Sequence, residues 1–141
     1  MSNPGPASTT SIHPSNLATN QALRLLGSAQ AVNLNAVGDT VIPVISCTGN
    51  YSVQSVIVAN ASTSLTTAQG AVYSGPGATD TAVKSAYALS GNDSTTKVVV
   101  TAATSTNILT GTPLYFRCTT AQGAAATADV FIYGYDLTFQ S

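Results

Sequence analysis

The residues able to do acid–base, nucleophilic or metal chemistry are few in this chain, and their spacing suits none of it. There is one histidine, His13, and five acidic residues, all aspartate, which leaves a small stock of general acids and bases. His13 lies among Pro, Ser and Thr, far from any framework that could position it, and reads as a surface or contact residue. Asp129 and Asp136 share one strand-like stretch but differ by an odd number of residues. On a pleated strand they point to opposite faces and form no carboxylate pair. Asp39, Asp80 and Asp93 sit beside Gly, Asn or Ser in turn signals, where Asp bonds its own backbone. Cys47 and Cys118 close no metal-type spacing; they read either as two buried thiols or as a disulfide, which a reducing cytoplasm would not maintain. No nucleophile elbow, phosphate loop or His-rich metal spacing occurs. The expectation is a protein without catalytic residues, metal ligands or a cofactor, and not an enzyme. Three glycosylation sequons, beginning at Asn50, Asn60 and Asn92, read as accidental in so Ser-rich a chain.

With no chemistry to position, the elements must be built for something else. The chain of 141 residues suits one domain. Charged residues make up 6%, against about 25% in an average soluble domain. No apolar run approaches the ~20 residues of a spanning helix. At 44% hydrophobic residues and a net charge of −1, most of the chain is a poor fit to disorder. Its polar surface must come from Ser, Thr, Asn and Gln, which dehydrate more cheaply than charged groups and suit a protein living inside an assembly. The only cations are Arg24, Lys84, Lys97 and Arg117, too scattered to track phosphates, so no nucleic-acid partner is expected. No basic amphipathic helix argues for a membrane surface. The start, MSNPGPASTT, lacks the charged and apolar regions of a secretory signal, so synthesis in a cytoplasm is expected.

Residues 1 to about 20 are Pro-, Ser-, Thr- and Asn-rich and cannot offset their ordering entropy by burial. The domain division expected is an extended N-terminal arm over residues 1–30 and a β domain over residues 31–141. Gln21–Gly27 has a short helical look, with Leu23 and Leu26 on one side, and is either a docking turn or a first edge strand. From Ala31 the pattern is β. Thr40–Cys47 is interrupted by Pro43, which demands an edge or a bulge. Tyr51–Ala61 is the longest clean strand, and its apolar residues on both sides of the pleat suggest that both faces are at least partly covered. Thr66–Ser74 is expected as a strand or hairpin, and further strands over Thr81–Leu89, Lys97–Ala103, Ile108–Thr110, Pro113–Thr120 and Ala128–Phe139. The fold class expected is all-β: a single antiparallel β-sandwich of jelly-roll or Greek-key type with an extended N-terminal arm.

Two features stand out. The hexapeptide TTAQGA occurs at Thr66–Ala71 and again at Thr119–Ala124, which is either a pseudo-repeat of two similar hairpins or chance recurrence. In the last strand Phe131, Tyr133 and Tyr135 fall on one face, Val130 and Ile132 on the other. One face can build the core; the aromatic one is either a second layer of the same fold or a subunit interface.

At TTAQGAVYSGPG (Thr66–Gly77) and at PLYFRCTTAQGAAATADVFIYGYDL (Pro113–Leu137), the chain resembles accessory capsid proteins of tailed bacteriophages, the cement or decoration proteins. The likeness covers about Ala31 to Leu137 and is best from Gln122 to Gly134. It implies a β-sandwich, commonly a homotrimer, that clamps neighbouring major capsid protein subunits on the outside of the icosahedral shell without catalysis. The location implied is the virion. No family binding motif matches position by position. The arm is expected to order along the capsid, with Leu23, Leu25 and Leu26 as anchors and Arg24 as an ion-pair partner. Phe131, Tyr133 and Tyr135 are the expected subunit interface. A second reading is a head- or tail-fibre module facing a receptor, with Tyr51, Tyr73, Tyr87 and Tyr115 as stacking platforms for host glycans.

Overall fold

Short runs of β-branched and aromatic residues, cut by Gly-, Asn- and Ser-rich turns, form nine strands among the described residues. The computed structural model describes residues 23–138, apart from 46, 48 and 112. The strands are β1 (Arg24–Asn33), β2 (Gly38–Ile42), β3 (Asn50–Ala59), β4 (Gln69–Tyr73), β5 (Ala82–Ala88), β6 (Val99–Ala102), β7 (Leu109–Thr110), β8 (Leu114–Thr120) and β9 (Thr127–Asp136). Among the described residues the only helical element is a single 3-10 turn, Pro76–Ala78. The protein is all-β.

The strands make two antiparallel sheets, one ordered β1-β9-β3-β6 with β7 also on β3, the other ordered β2-β8-β4-β5. The pairing has a simple logic. β1 pairs with β9, β2 with β8, β3 with β6 and β4 with β5, so the first half of the chain runs against the second half in reverse order. Two further pairings, β3 with β9 and β4 with β8, seal this ribbon into sheets. Both sheets feed one buried cluster: Leu26, Tyr51 and Ile132 from the first, Ile42, Val72 and Phe116 from the second. Burial of this apolar surface supplies the main drive to fold.

Residues 24–30, expected in the arm, belong to the sheet. Of the two readings left open for Gln21–Gly27, the edge strand is the one found from Arg24 onward. Leu26 turns into the core, and its carbonyl accepts a hydrogen bond from Ile45 N–H at 3.1 Å. A helix here would leave β9 with no partner on that side. The remainder of the expected arm, residues 1–22 with His13, lies outside the described residues.

The two faces of β3 are covered unequally: one lies in the core, and the other, with Ser52, Ser55 and Ile57, is half-buried. A bulge between Val53 and Ser55 shifts its register against β9, and an extra residue flips every side chain beyond it. Tyr51 and Val53 before the bulge and Val56 and Val58 after it therefore share the core face. Apolar residues at both parities reflect this change of phase, with Ile57 half-buried on the outer face. Pro43 behaves as expected: β2 stops at Ile42 and lies at the edge of its sheet.

The TTAQGA copies are not equivalent hairpins. The first leads into β4, with Gln69 and Gly70 already paired, whereas the second leaves β8 and makes the turn before β9. They meet side by side: Gln69 lies opposite Thr120.

Candidate functional site

β9 alternates cleanly. Ala128, Val130, Ile132 and Gly134 are buried, whereas Phe131, Tyr133 and Tyr135 are half-buried on the outer face of the five-stranded sheet. Gly134 is what lets the strand lie this close. A Cβ there would run into the Ser52 carbonyl of β3 and the Leu26 side chain, so only glycine fits between Tyr133 and Tyr135.

The register extends the aromatic residues into rows. Phe131 lies between Ser28 of β1 and Ile57 of β3, and Ile57 lies beside Val100 of β6. Tyr133 lies between Leu25 of β1 and Ser55 of β3. Tyr135 lies opposite Ser52. Cross-strand neighbours stand about 4.5–5.5 Å apart at Cβ, so Leu25, Phe131, Tyr133, Ile57 and Val100 form one apolar strip. Val100 is 63% exposed and Leu25 38%. The chain's own second layer covers the opposite face of β9, leaving the aromatic one outward.

The structure places the four expected capsid-contact residues differently from one another. Leu23, at 49% exposure, precedes β1, and Leu25 joins the aromatic strip. Leu26 is fully buried in the core and presents nothing to a partner. Arg24 is engaged within the chain, its Nη1 lying 3.4 Å from Asp136 Oδ2. Leu25 therefore stands beside Tyr133, on the same face as the expected subunit interface; Leu26 does not.

Arg24 belongs to a clasp at the end of that sheet. Asp136 Oδ1 accepts from the Cys47 thiol at 3.1 Å and from Thr138 N–H at 2.9 Å. Desolvation pushes the Asp136 carboxyl up, but the Thr138 backbone and hydroxyl, the Cys47 thiol and the Arg24 charge outweigh it. The group sits below its ordinary value. Cys47 and Cys118 are both free and buried, so the open choice between thiols and a disulfide falls to thiols. Burial pushes the Cys118 thiol up, partly offset by a hydrogen bond to the Thr120 backbone.

Three other carboxylates, Asp93, Asp39 and Asp129, are structural. Asp93 Oδ1 accepts from Thr95 N–H and Thr96 N–H, each at 2.8 Å, as its turn signal predicts. These bonds hold it down at about 2. Asp39 departs from expectation: it reaches another loop, accepting from Gly77 N–H at 2.6 Å and Arg117 Nη1 at 2.8 Å. Asp129 accepts from Ala31 N–H and Asn60 Nδ2. Among the described residues no group of three or more His, Cys, Asp or Glu could hold a metal ion. Asn92 is fully buried, with Nδ2 donating to Val58 O at 3.1 Å, so its sequon is closed to modification in the folded chain.

The tyrosines proposed as stacking platforms separate. Tyr51 is buried in the core and Tyr87 packs against it. Burial pushes the Tyr87 hydroxyl well above its ordinary value. Tyr73 and Tyr115 are cross-strand neighbours, with Val41 opposite Tyr115 and 53% exposed. They mark the outer face of the other sheet.

Sequence reasoning found the aromatic half of the strip and missed Ile57 and Val100. The bulge hides the phase of Ile57, and Val100 sits in an uninterrupted valine run with no alternation to read. No protein-family model matches the chain, and no curated protein matches it.

Proposed function

We propose that this protein is a non-enzymatic capsid cement protein of a tailed bacteriophage. It binds the outer surface of the icosahedral shell, stabilises contacts between major capsid protein subunits and resides in the virion. The observation that carries the reading is the outward apolar strip of Leu25, Phe131, Tyr133, Ile57 and Val100 on a chain with almost no charge. A lone subunit in water would expose this strip at a cost. A closed homo-oligomer, a trimer, covers it with a sister copy, in an interface centred on β1 and β9. Residues 1–22 then order along the shell.

The architecture we propose is a single β-sandwich of the jelly-roll type. Supporting it is the strand order β1-β9-β3-β6 against β2-β8-β4-β5, the pattern of a long antiparallel ribbon wrapped into two layers. Shells and their fittings gain from such a fold because a small interface recurs hundreds of times. Apolar burial contributes about 25 cal/mol per Å² at each copy.

The experiment is binding of the purified protein to bare capsids, read by co-sedimentation and a quantified gel, beside light scattering of the free protein. Saturable binding in hundreds of copies and a trimeric mass are expected. A monomer that ignores capsids overturns the reading. A chain lacking residues 1–22, cut short of β1, is expected to lose most of its capsid binding while keeping its oligomeric state.

The fibre reading retains one observation in its favour, the Tyr73–Tyr115 pair on the outer face of the other sheet. Copy number separates the two, since a fibre is present in tens of copies at most.

A further inference from the structure

Where β7 gives way to β6 along the edge of β3, the sheet is interrupted. β7 pairs with Asn50 and Tyr51, and β6 with Ser55 to Val58. One further bond runs from Ala103 N–H to Gln54 O at 3.0 Å. Between them Ser52 and Val53 have strand partners on the β9 side only. A recess of about 310 Å³ opens at this gap. Val53, Ala102 and Ala103 give it an apolar floor, and Ser52, Gln54, Ser105 and Thr106 a polar rim.

We propose that this recess binds a neutral sugar unit. The chemistry of its walls disfavours charged and purely apolar ligands. None of the residues lining it is ionisable, so a phosphate, carboxylate or metal ion would lose water without meeting a counter-charge. Three hydroxyl-bearing residues and one amide-bearing residue line a space at the small end of ligand pockets. Each hydroxyl both donates and accepts, and the amide does the same through separate atoms, which matches the alternating donor and acceptor character of sugar hydroxyls. A purely apolar ligand would strand these groups. The small floor residues leave room for the C–H face of a ring.

The walls are held before any ligand arrives. Ala103 is tied to β3 through Gln54, and both Thr104 N–H and Ser105 N–H donate to Val83 O of β5, at 3.1 and 3.2 Å. The Ser105 hydroxyl accepts from Asn107 N–H at 3.1 Å. Such preorganisation lowers the ordering cost of binding, though a ligand this small still binds only in the millimolar range.

The test is an amide-resolved NMR titration of the full-length protein with methyl β-glucoside, methyl β-galactoside and N-acetylglucosamine, taken into the tens of millimolar, with glycerol as control. At least one sugar is expected to give saturable shifts confined to Ser52–Gln54 and Ala102–Thr106, and glycerol none. Gln54→Ala and Thr106→Val alter exposed side chains and leave the remaining spectrum in place. Either is expected to weaken binding roughly three- to tenfold. No saturable shift with any of the three sugars overturns the proposal, as does an affinity unchanged in both variants. The outcome is independent of capsid binding.

Discussion

Gln122 and Thr67 lock the two TTAQGA copies together. Gln122 Oε1 accepts from the N–H groups of Thr66, Thr67 and Ala68 at 3.1, 3.2 and 3.2 Å, and Thr67 Oγ1 donates back to Gln122 O at 2.8 Å. One amide thus satisfies three backbone donors of a turn that has no strand partner for them. Gln69, at the same place in the other copy, is an exposed strand residue.

The asymmetry sets a prediction. Gln122→Ala is expected to cost about 1–3 kcal/mol, because it strands several donors at once. Gln69→Ala is expected to stay within about 0.5 kcal/mol. Urea denaturation of both variants reads the difference. Equal effects would mean that the repeat matters as a sequence and not through the contact.

Gly134→Ala tests the approach of β9 to β3. The added methyl meets the Ser52 carbonyl and the Leu26 side chain, and backbone cannot swing aside as a side-chain tip can. A loss of about 1–3 kcal/mol or more is expected, read as a fall in the urea midpoint. A neutral result would place the strands farther apart than described here.

What could be read from the chain beforehand divides along physical lines. β9 was legible because its alternation is unbroken over a whole strand, and a period of two needs no partner to be recognised. β1 was left open between a docking turn and an edge strand, because Leu23 and Leu26 mimic a helical stripe over one turn, and only pairing with β9 selects the strand. The bulge in β3 leaves no mark in Gln54 itself, so the phase of Ile57 could not be assigned. Turn aspartates were legible when their bonds are local, as for Asp93. They were illegible when the bond spans loops, as from Asp39 to Gly77. The aromatic side of the candidate interface was therefore visible early, and its apolar completion across four strands was not.

Phe131→Ser combined with Tyr133→Ser is expected to leave a folded monomer. Both side chains face outward on a central strand, so their removal costs the fold only about 1 kcal/mol through cross-strand contacts, while an interface loses its aromatic centre. Light scattering checks the mass and circular dichroism the fold. An oligomer that survives the double change would move the interface away from this face.

Both cysteines are buried and free, and Cys118 is further disarmed because burial raises its thiol. Native protein is expected to react with a thiol reagent at neither site on a timescale of minutes, and at both in urea. Reaction at Cys47 alone would report an opening of the connection between β2 and β3, where the thiol meets Asp136.

Asp136 also fixes how the fold answers acid. Its folded carboxyl lies below the ordinary value of 3.8, and that of Asp93 is held at about 2. A carboxyl lowered by folding contributes its stability above the unfolded value and loses it as pH falls through the folded one. Stability is therefore expected to hold from neutral pH down to about 4 and to decline below it. Asp136→Asn removes the Arg24 ion pair and the charged acceptor of the Cys47 and Thr138 bonds. At neutral pH the variant should unfold at lower urea than the parent. Once the pH has fallen through the folded value, below 3.8, the parent's carboxylate is itself protonated, so the two midpoints should converge. A gap that stays constant across this range would mean that the residue acts through shape alone and that its charge contributes nothing.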